Sequence, residues 1–402
     1  MSSDSNQATC IKPVEDFTNY GNWCPAVYHG LYAERWNDDE VRIAPCCVAH
    51  PAIEPRDQFN FNTSPYLNSL REQFDRGEKP NECRRCWNYE TYNAGTTNYS
   101  RRQKTIITYQ YATQKSEPDR SVVLTSLDYF CAWVCNLACV ICRPLNSSLW
   151  SAELKQTREE HKDTGRLFEL KPPPSLADQL DFGDMYRVHF NGGEPLATKE
   201  HIRVLEKLAA QGRLQHTSVS YNTNGTMYPS DEVIALWKQA QKVHVSFSID
   251  ATERAFEYIR YPANWEQVSG NMLRMSKELT GNMEYGFTVA VGALNVFEMP
   301  KLWEWYSNNM TNPNNFYWQF VNELDMGRLE IDVKLEAIEL LKDYPAFDGI
   351  ANYLQETIID PEVIKKNPQS YFYPLWSEQL DTIDARRGTN WKESLDIGKY
   401  YR

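Results

Sequence analysis

The sequence predicts an α/β protein, a layered sheet or barrel built from parallel βα units. Three observations carry this. From Ser121 onward, six apolar runs of strand length alternate with segments whose apolar residues recur at helical spacing, the pattern of successive βαβ units. Polar or glycine-bearing motifs follow the first four strands in turn: Cys135–Cys142, Asn191–Pro195, Asn222–Gly225 and Ser248–Asp250. The C-terminal strand ends are where parallel barrels gather their active sites. Finally, 402 residues with 42% apolar content supply ample material for a core.

Each element has its own signal. The first strand is SVVLTSLD (121–128). A helix is expected from Ser147 to about Arg158, capped by Asn146 or Ser147. KPPPS (171–175) breaks the chain before the second strand, RVHFN (187–191). Lys199 to Gln211 reads as a helix, TSVSYNT (217–223) as a strand, Asp231 to Ala240 as a helix and KVHVSFSID (242–250) as an alternating strand. Then come a helix from Trp265 to Leu279, a strand MEYGFTVAVG (283–292), a helix from Pro300 to Asn308 and a strand NFYWQFVN (315–322). Beyond Leu324 the chain reads mainly helical, with Val333–Leu341 and Trp376–Arg386 as candidates. Trp303, Trp305, Tyr306, Tyr317 and Trp318 read as core packing.

The first 120 residues differ. They hold six cysteines and many turn residues, with Tyr66–Arg76 as one amphipathic helix. KSEPDR (115–120) marks a boundary. The expected organisation is therefore a cysteine-rich region (1–120), an α/β core (121–325) and a helical C-terminal extension (326–402).

Charge and termini exclude several classes. A net charge of −12 argues against a duplex nucleic-acid partner. No run approaches the 18 apolar residues of a membrane span, and MSSDSNQATC is polar. The expectation is a soluble, cytoplasmic protein. The seven histidines show no metal-ligand spacing, and none is assigned to catalysis.

All ten cysteines lie at or before residue 142. In a long chain without secretory signals, close cysteines suit metal or chemistry better than disulfides. CNLACVIC places Cys135, Cys139 and Cys142 in one octet. Thiolates are soft ligands for zinc and iron–sulfur clusters. A closed zinc site wants four ligands, as do most cubane clusters. Three thiolates leave one iron free to take a chelating small molecule. Cys131, at the end of the strand, reads as structural.

The spacing Cys135-x3-Cys139-x2-Cys142 after the first strand, with NGGEP about fifty residues on, then YNTNGT and SFSIDATERAFEYIRYP, resembles the radical SAM superfamily, and within it the twitch- or SPASM-type proteins. The resemblance covers residues 121–325 best. It implies a partial (β/α)6 barrel, a catalytic [4Fe–4S] cluster on Cys135, Cys139 and Cys142, and S-adenosyl-L-methionine chelated at the open iron. It further implies reductive cleavage to a 5′-deoxyadenosyl radical, hydrogen abstraction from substrate, and an electron donor such as flavodoxin or ferredoxin. Gly192, Gly193 and Glu194 match the segment that receives the methionyl amine; Asn224, Ser248, Asp250 and Arg260 match polar positions near the ribose and carboxylate. Ile141 departs from the family's frequent aromatic residue before the third cysteine.

A second set is available from Cys24, one of Cys46 or Cys47, Cys83 and Cys86, with Cys47 taken as the ligand and Cys10 left out. It resembles an auxiliary-cluster segment, although in the family that segment usually follows the core domain. An auxiliary iron–sulfur cluster is the first expectation and zinc the second. Arg84, Arg85, Arg101, Arg102 and Lys104 gather nearby, to offset thiolate charge or to contact an anionic substrate or a reductase. The expected substrate is a peptide or protein, with a nucleotide or small molecule as the alternative. The rival of another class is a zinc-stapled scaffold joining Cys83-x2-Cys86 to Cys139-x2-Cys142.

Overall fold

One nine-stranded sheet runs through the molecule in the order β3-β2-β1-β4-β5-β6-β7-β8-β9. The computed structural model describes residues 17–35, 39–93, 99–131, 133–142, 146–157, 176–310, 312, 315–321, 324–358 and 375–401. Cys10, the KPPPS break and the end of the last expected strand lie outside them. The strands are β1 (Gly30–Arg35), β2 (Glu40–Ala44), β3 (Ala52–Pro55), β4 (Ser126–Phe130), β5 (Arg187–Asn191), β6 (Ser218–Thr223), β7 (Lys242–Ser248), β8 (Met283–Val291) and β9 (Phe316–Phe320). From β4 to β9 every neighbouring pair is parallel and in chain order, the strand order of a partial (β/α)6 barrel.

The helices are α1 (Pro25–His29), α2 (Pro65–Asp75), α3 (Arg84–Tyr92), α4 (Arg101–Thr113), α5 (Ser148–Thr157), α6 (Glu200–Ala210), α7 (Asp231–Trp237), α8 (Glu253–Ile259), α9 (Trp265–Glu278), α10 (Met299–Asn309), α11 (Ile331–Leu341), α12 (Asp348–Glu356), α13 (Leu375–Arg387) and α14 (Trp391–Ser394). Side-chain caps start many of them. Ser64 accepts from Leu67 N, and Ser147, rather than Asn146, accepts from Trp150 N at 3.2 Å.

The two faces of the parallel sheet differ in chemistry. One face carries Leu127, Val188, Val219, Val243 and Met283 in register, then Tyr129, Phe190, Tyr221, Val245 and Tyr285. All ten are buried in one apolar cluster with helix residues such as Val204, Leu208, Met272 and Leu302. The other face carries Asp128, His189, Ser220, His244 and Glu284 in a single row. Alternation along each strand separates the two sets. Arg101 of α4 reaches this polar row at Asp128, 3.2 Å away.

Three differences from the sequence expectation have physical causes. The first core strand spans Ser126–Phe130 rather than 121–128. Pairing begins only where both partners begin, at Gly30 of β1 and Arg187 of β5. The N-terminal region is not strand-free: β1 pairs parallel to β4, and β2 and β3 extend the sheet antiparallel. The sheet thus crosses the boundary expected at residue 120. Tyr317 is 54% exposed rather than packed in the core, because it sits on edge strand β9.

Candidate active site at the strand ends

The loop between β4 and α5 carries Cys135, Cys139 and Cys142, and several backbone bonds fix its path. Ala138 N donates to Tyr261 O at 2.6 Å, Val140 N to Ile259 O at 2.7 Å and Cys142 N to Cys139 O at 3.0 Å. Trp150 Nε1 donates to Cys139 O at 2.7 Å, and Ser148 Oγ accepts from Cys135 N at 3.1 Å. The start of α5 and the end of α8 therefore hold the loop from two sides.

The three thiols are electrostatic neighbours. Burial pushes the Cys139 thiol up, with the Cys142 and Cys135 thiols adding to the rise and Arg260 opposing it. Burial also raises Cys135, with opposing help from the Arg260 charge and from Asn224, whose Nδ2 lies 3.9 Å from Cys135 Sγ. A soft metal would displace the protons that burial holds on these sulfurs.

The NGGEP turn after β5 packs directly on the cysteine loop. Gly192 adopts φ +132°, a region that favours glycine. A Cβ on Gly193 would lie 2.3 Å from Val134 O. Glu194 N donates to that same carbonyl at 2.8 Å. The buried Glu194 carboxylate accepts from Thr223 Oγ1 at 2.8 Å, Asn224 N at 2.7 Å and Leu196 N at 3.0 Å. It clasps the second strand-end motif to the third, a use the sequence does not reveal.

Asn224 extends the link. Its Nδ2 donates to Asn136 Oδ1 at 3.0 Å, and Asn136 Nδ2 donates to Thr226 Oγ1 at 2.9 Å. Asn136 and Thr226 were not singled out from sequence, although each lies inside a quoted motif. Asp250 is fully buried; its Oδ1 accepts from Ala290 N at 2.8 Å and its Oδ2 lies 2.7 Å from Arg260 Nη2. Asn295 donates to the Asp250 carbonyl at 2.8 Å. Ser248 is half-buried at the end of β7. Cys131 is buried behind the strand near Glu200 and Glu194. The fold thus gathers the cysteines, the glycine turn, Asn224, Asp250 and Arg260 at the C-terminal strand ends.

The residues fit the groups that the resemblance implies. The donor set is three thiols beside a guanidinium. Asn191 Oδ1 and Arg260 Nε are buried with no hydrogen-bond partner among the described residues. Unpartnered buried polar atoms are costly and suit a polar ligand.

A second thiol set lies near the opposite strand ends. Cys24, Cys46, Cys83 and Cys86 line one largely apolar void, partly open to solvent, with Ala26, Val27, Phe74 and Trp87. Burial raises Cys24 to about 12, with Cys46 adding to the rise. Burial likewise raises Cys83, whose thiol neighbours are Cys24, Cys46 and Cys86. Cys47 does not line this void; its charge neighbours are Arg101, Asp128, Cys46 and Arg187. The void is thus lined by Cys46 and not by Cys47, the residue the sequence favours. Arg101 and Arg102 line the void, and Arg84 and Arg85 are exposed. Among the described residues no three His, Cys, Asp or Glu converge tightly enough for a single metal ion. The two C-x2-C pairs face different neighbours, Cys83 and Cys86 with Cys24 and Cys46, Cys139 and Cys142 with Cys135.

Fold and site define an α/β partial-barrel protein with a three-thiol site at its strand ends and a four-thiol pocket beside its N-terminal strands. No family model and no curated protein matches the chain. Among solved structures it is similar to native anSMEcpe with bound AdoMet, at 17% identity and a TM-score of 0.37, over 57% of this chain and 62% of that one. It is also similar to Streptococcus suis SuiB, at 10% identity and a TM-score of 0.36, over 77% of this chain and 68% of that one. SuiB bound to the precursor peptide SuiA matches at 10% identity and a TM-score of 0.34, over 79% of this chain and 69% of that one. The chain spans about three-fifths of the anSMEcpe structure, and the site rests on its own geometry. No helix among the described residues is long and apolar enough to cross a membrane.

Proposed function

We propose that this protein is a radical SAM enzyme that modifies a peptide or protein. The observation that carries the reading is the meeting of three neighbouring thiols, the glycine turn and Arg260 at the C-terminal ends of sequential parallel strands. Cys135, Cys139 and Cys142 would hold a [4Fe–4S] cluster with one iron open. When bound, the cluster and S-adenosyl-L-methionine supply a 5′-deoxyadenosyl radical able to take hydrogen from substrate.

The chain's own residues hold and orient the cofactor. Backbone atoms of Gly192 and Gly193 would receive the methionyl amine. Glu194 keeps that turn in place through its three acceptor contacts. Arg260 sets a positive charge beside the three thiols, where it would also meet the cofactor carboxylate. Asp250 fixes the Arg260 guanidinium, and Asn224 and Ser248 would serve the ribose side.

Cys24, Cys46, Cys83 and Cys86 would hold an auxiliary iron–sulfur cluster. Four cysteines close such a site, so its role is electron relay from a flavodoxin- or ferredoxin-like donor, or structure.

The test is anaerobic reconstitution, dithionite reduction, addition of S-adenosyl-L-methionine and mass detection of 5′-deoxyadenosine. About eight irons per chain are expected, about four for each of two cubanes. Product from the unaltered protein, and none after changing Cys135, Cys139 and Cys142 to Ala, supports the reading. Bound zinc without iron, sulfide or product sinks it.

A further inference from the structure

The end of α13 reaches back across the chain to α5 and Tyr261, which flank the cysteine loop. The Arg387 side chain is 2% exposed. Its guanidinium carbon lies 4.6 Å from the ring centres of both Trp150 and Tyr261. Nε sits 3.1 Å from each Glu153 carboxylate oxygen, and Nη2 lies 2.9 Å from Oε2. A planar fork over aromatic faces with a two-point carboxylate is a site that lysine does not reproduce.

Each partner belongs to a segment that holds the loop. Trp150 donates its indole N–H to the Cys139 carbonyl, and Tyr261 offers its carbonyl to the Ala138 N–H. Glu153 is one turn further along α5. Arg387 therefore ties α5 to the segment after α8, and the cysteine loop is hydrogen-bonded to both. The turn that delivers Arg387 is itself fixed. Gly388 follows at φ +66°, and Asp384 accepts from Trp391 N at 2.7 Å.

We infer that Arg387 is a positioning residue for the three-cysteine loop, so that the C-terminal extension is part of the cofactor site. The inference rests on the proposed function only for what the loop holds; the clamp itself is read from geometry.

The experiment compares the full chain with Arg387→Met, Arg387→Lys and, as a control, Arg254→Met. The control breaks the exposed Arg254–Glu393 pair, a different link between α8 and α14. The first readout is hydrogen–deuterium exchange of peptides spanning residues 135–142. Both Arg387 variants are expected to exchange there about tenfold faster, with the control unchanged. The second readout is the reduced cluster's electron paramagnetic resonance spectrum, titrated with S-adenosyl-L-methionine. Here the Arg387 variants are expected to need about tenfold more cofactor for the same spectral change, a difference of about 1.4 kcal/mol.

Unchanged exchange in either folded Arg387 variant overturns the clamp. Faster exchange with an unchanged titration overturns its positioning role. Should Arg387→Met fail to fold, Arg387→Lys alone decides both points. A wild-type protein with no cofactor-sensitive signal counts against the functional reading, and the exchange result still decides the clamp.

Discussion

Asp128 lies between two arginines, 2.6 Å from Arg187 Nη1 and 3.2 Å from Arg101 Nη2. Burial would raise its carboxyl, but the two guanidiniums outweigh that and bring it down to about 2. A carboxylate depressed in the folded state stabilises the fold above its unfolded value, near 3.8, and that stability is lost as pH falls towards about 2. The shift corresponds to about 2 kcal/mol. Asp128→Asn should therefore destabilise the protein at pH 7, and its urea-derived deficit should narrow as pH drops below about 4. A constant deficit across that range would refute the assignment. Neighbouring cysteines allow a sharper contrast. Cys46 lines the four-thiol void and Cys47 faces Arg101 and Asp128. Cys46→Ser should lose the auxiliary metal while Cys47→Ser keeps it, as iron and sulfide analysis of the two reconstituted variants would show. Equal losses would mean that both thiols serve that site, and no loss in either that neither does.

Loop and turn act as a unit because their backbones touch. Gly193 sits against Val134 so closely that an added methyl would meet its carbonyl oxygen at 2.3 Å and its carbonyl carbon at 2.7 Å. Backbone on both sides leaves no flexible side chain to yield. Gly193→Ala must then separate the glycine turn from the cysteine loop, weakening the bond from Glu194 N to Val134 O. A cost of about 1–3 kcal/mol is expected, with loss of iron at the three-cysteine site. Gly270, inside α9, is the opposite case: a methyl added there would meet nothing within 4 Å beyond its own helix. Gly270→Ala should instead raise stability by about 0.5–1 kcal/mol. Urea titration of the two variants checks the contrast. Equal effects would show that the turn accommodates a side chain by moving.

Across the whole molecule, the sequence made the alternating core legible because each strand from β5 to β9 carries its own apolar run between helical repeats. RVHFN lies on β5 residue for residue. The site motifs were legible because they fall at strand ends, and the structure gathers them there. What sequence could not convey was pairing between distant segments. Gly30–Arg35 has no strong strand signal of its own, yet it joins the sheet because β4 offers it a parallel partner. Arg387 was equally silent, since its carboxylate partner Glu153 lies 234 residues earlier in α5. Which of the adjacent Cys46 and Cys47 lines the void depends on the side of the chain that faces it, and adjacency in sequence does not show that. The same long-range pairing carries a prediction about independence. β1 pairs with β4 from Gly30↔Ser126 to Glu34↔Phe130. Leu31, Ile43, Phe59, Phe61 and Leu67 belong to the apolar cluster that packs the parallel core. Each such side chain contributes about 1.5–3 kcal/mol on full burial, and a whole domain is stable by only about 5–15 kcal/mol. Even partial loss of these contacts, together with a newly bared β4 edge, should exhaust the stability of the remainder. Residues 121–402 expressed alone should therefore aggregate or lack a cooperative melt by circular dichroism, and co-expression with residues 1–120 should restore a soluble complex on size exclusion. A monomeric fragment 121–402 with a sharp thermal transition would show instead that the N-terminal strands are an appendage to a self-sufficient barrel.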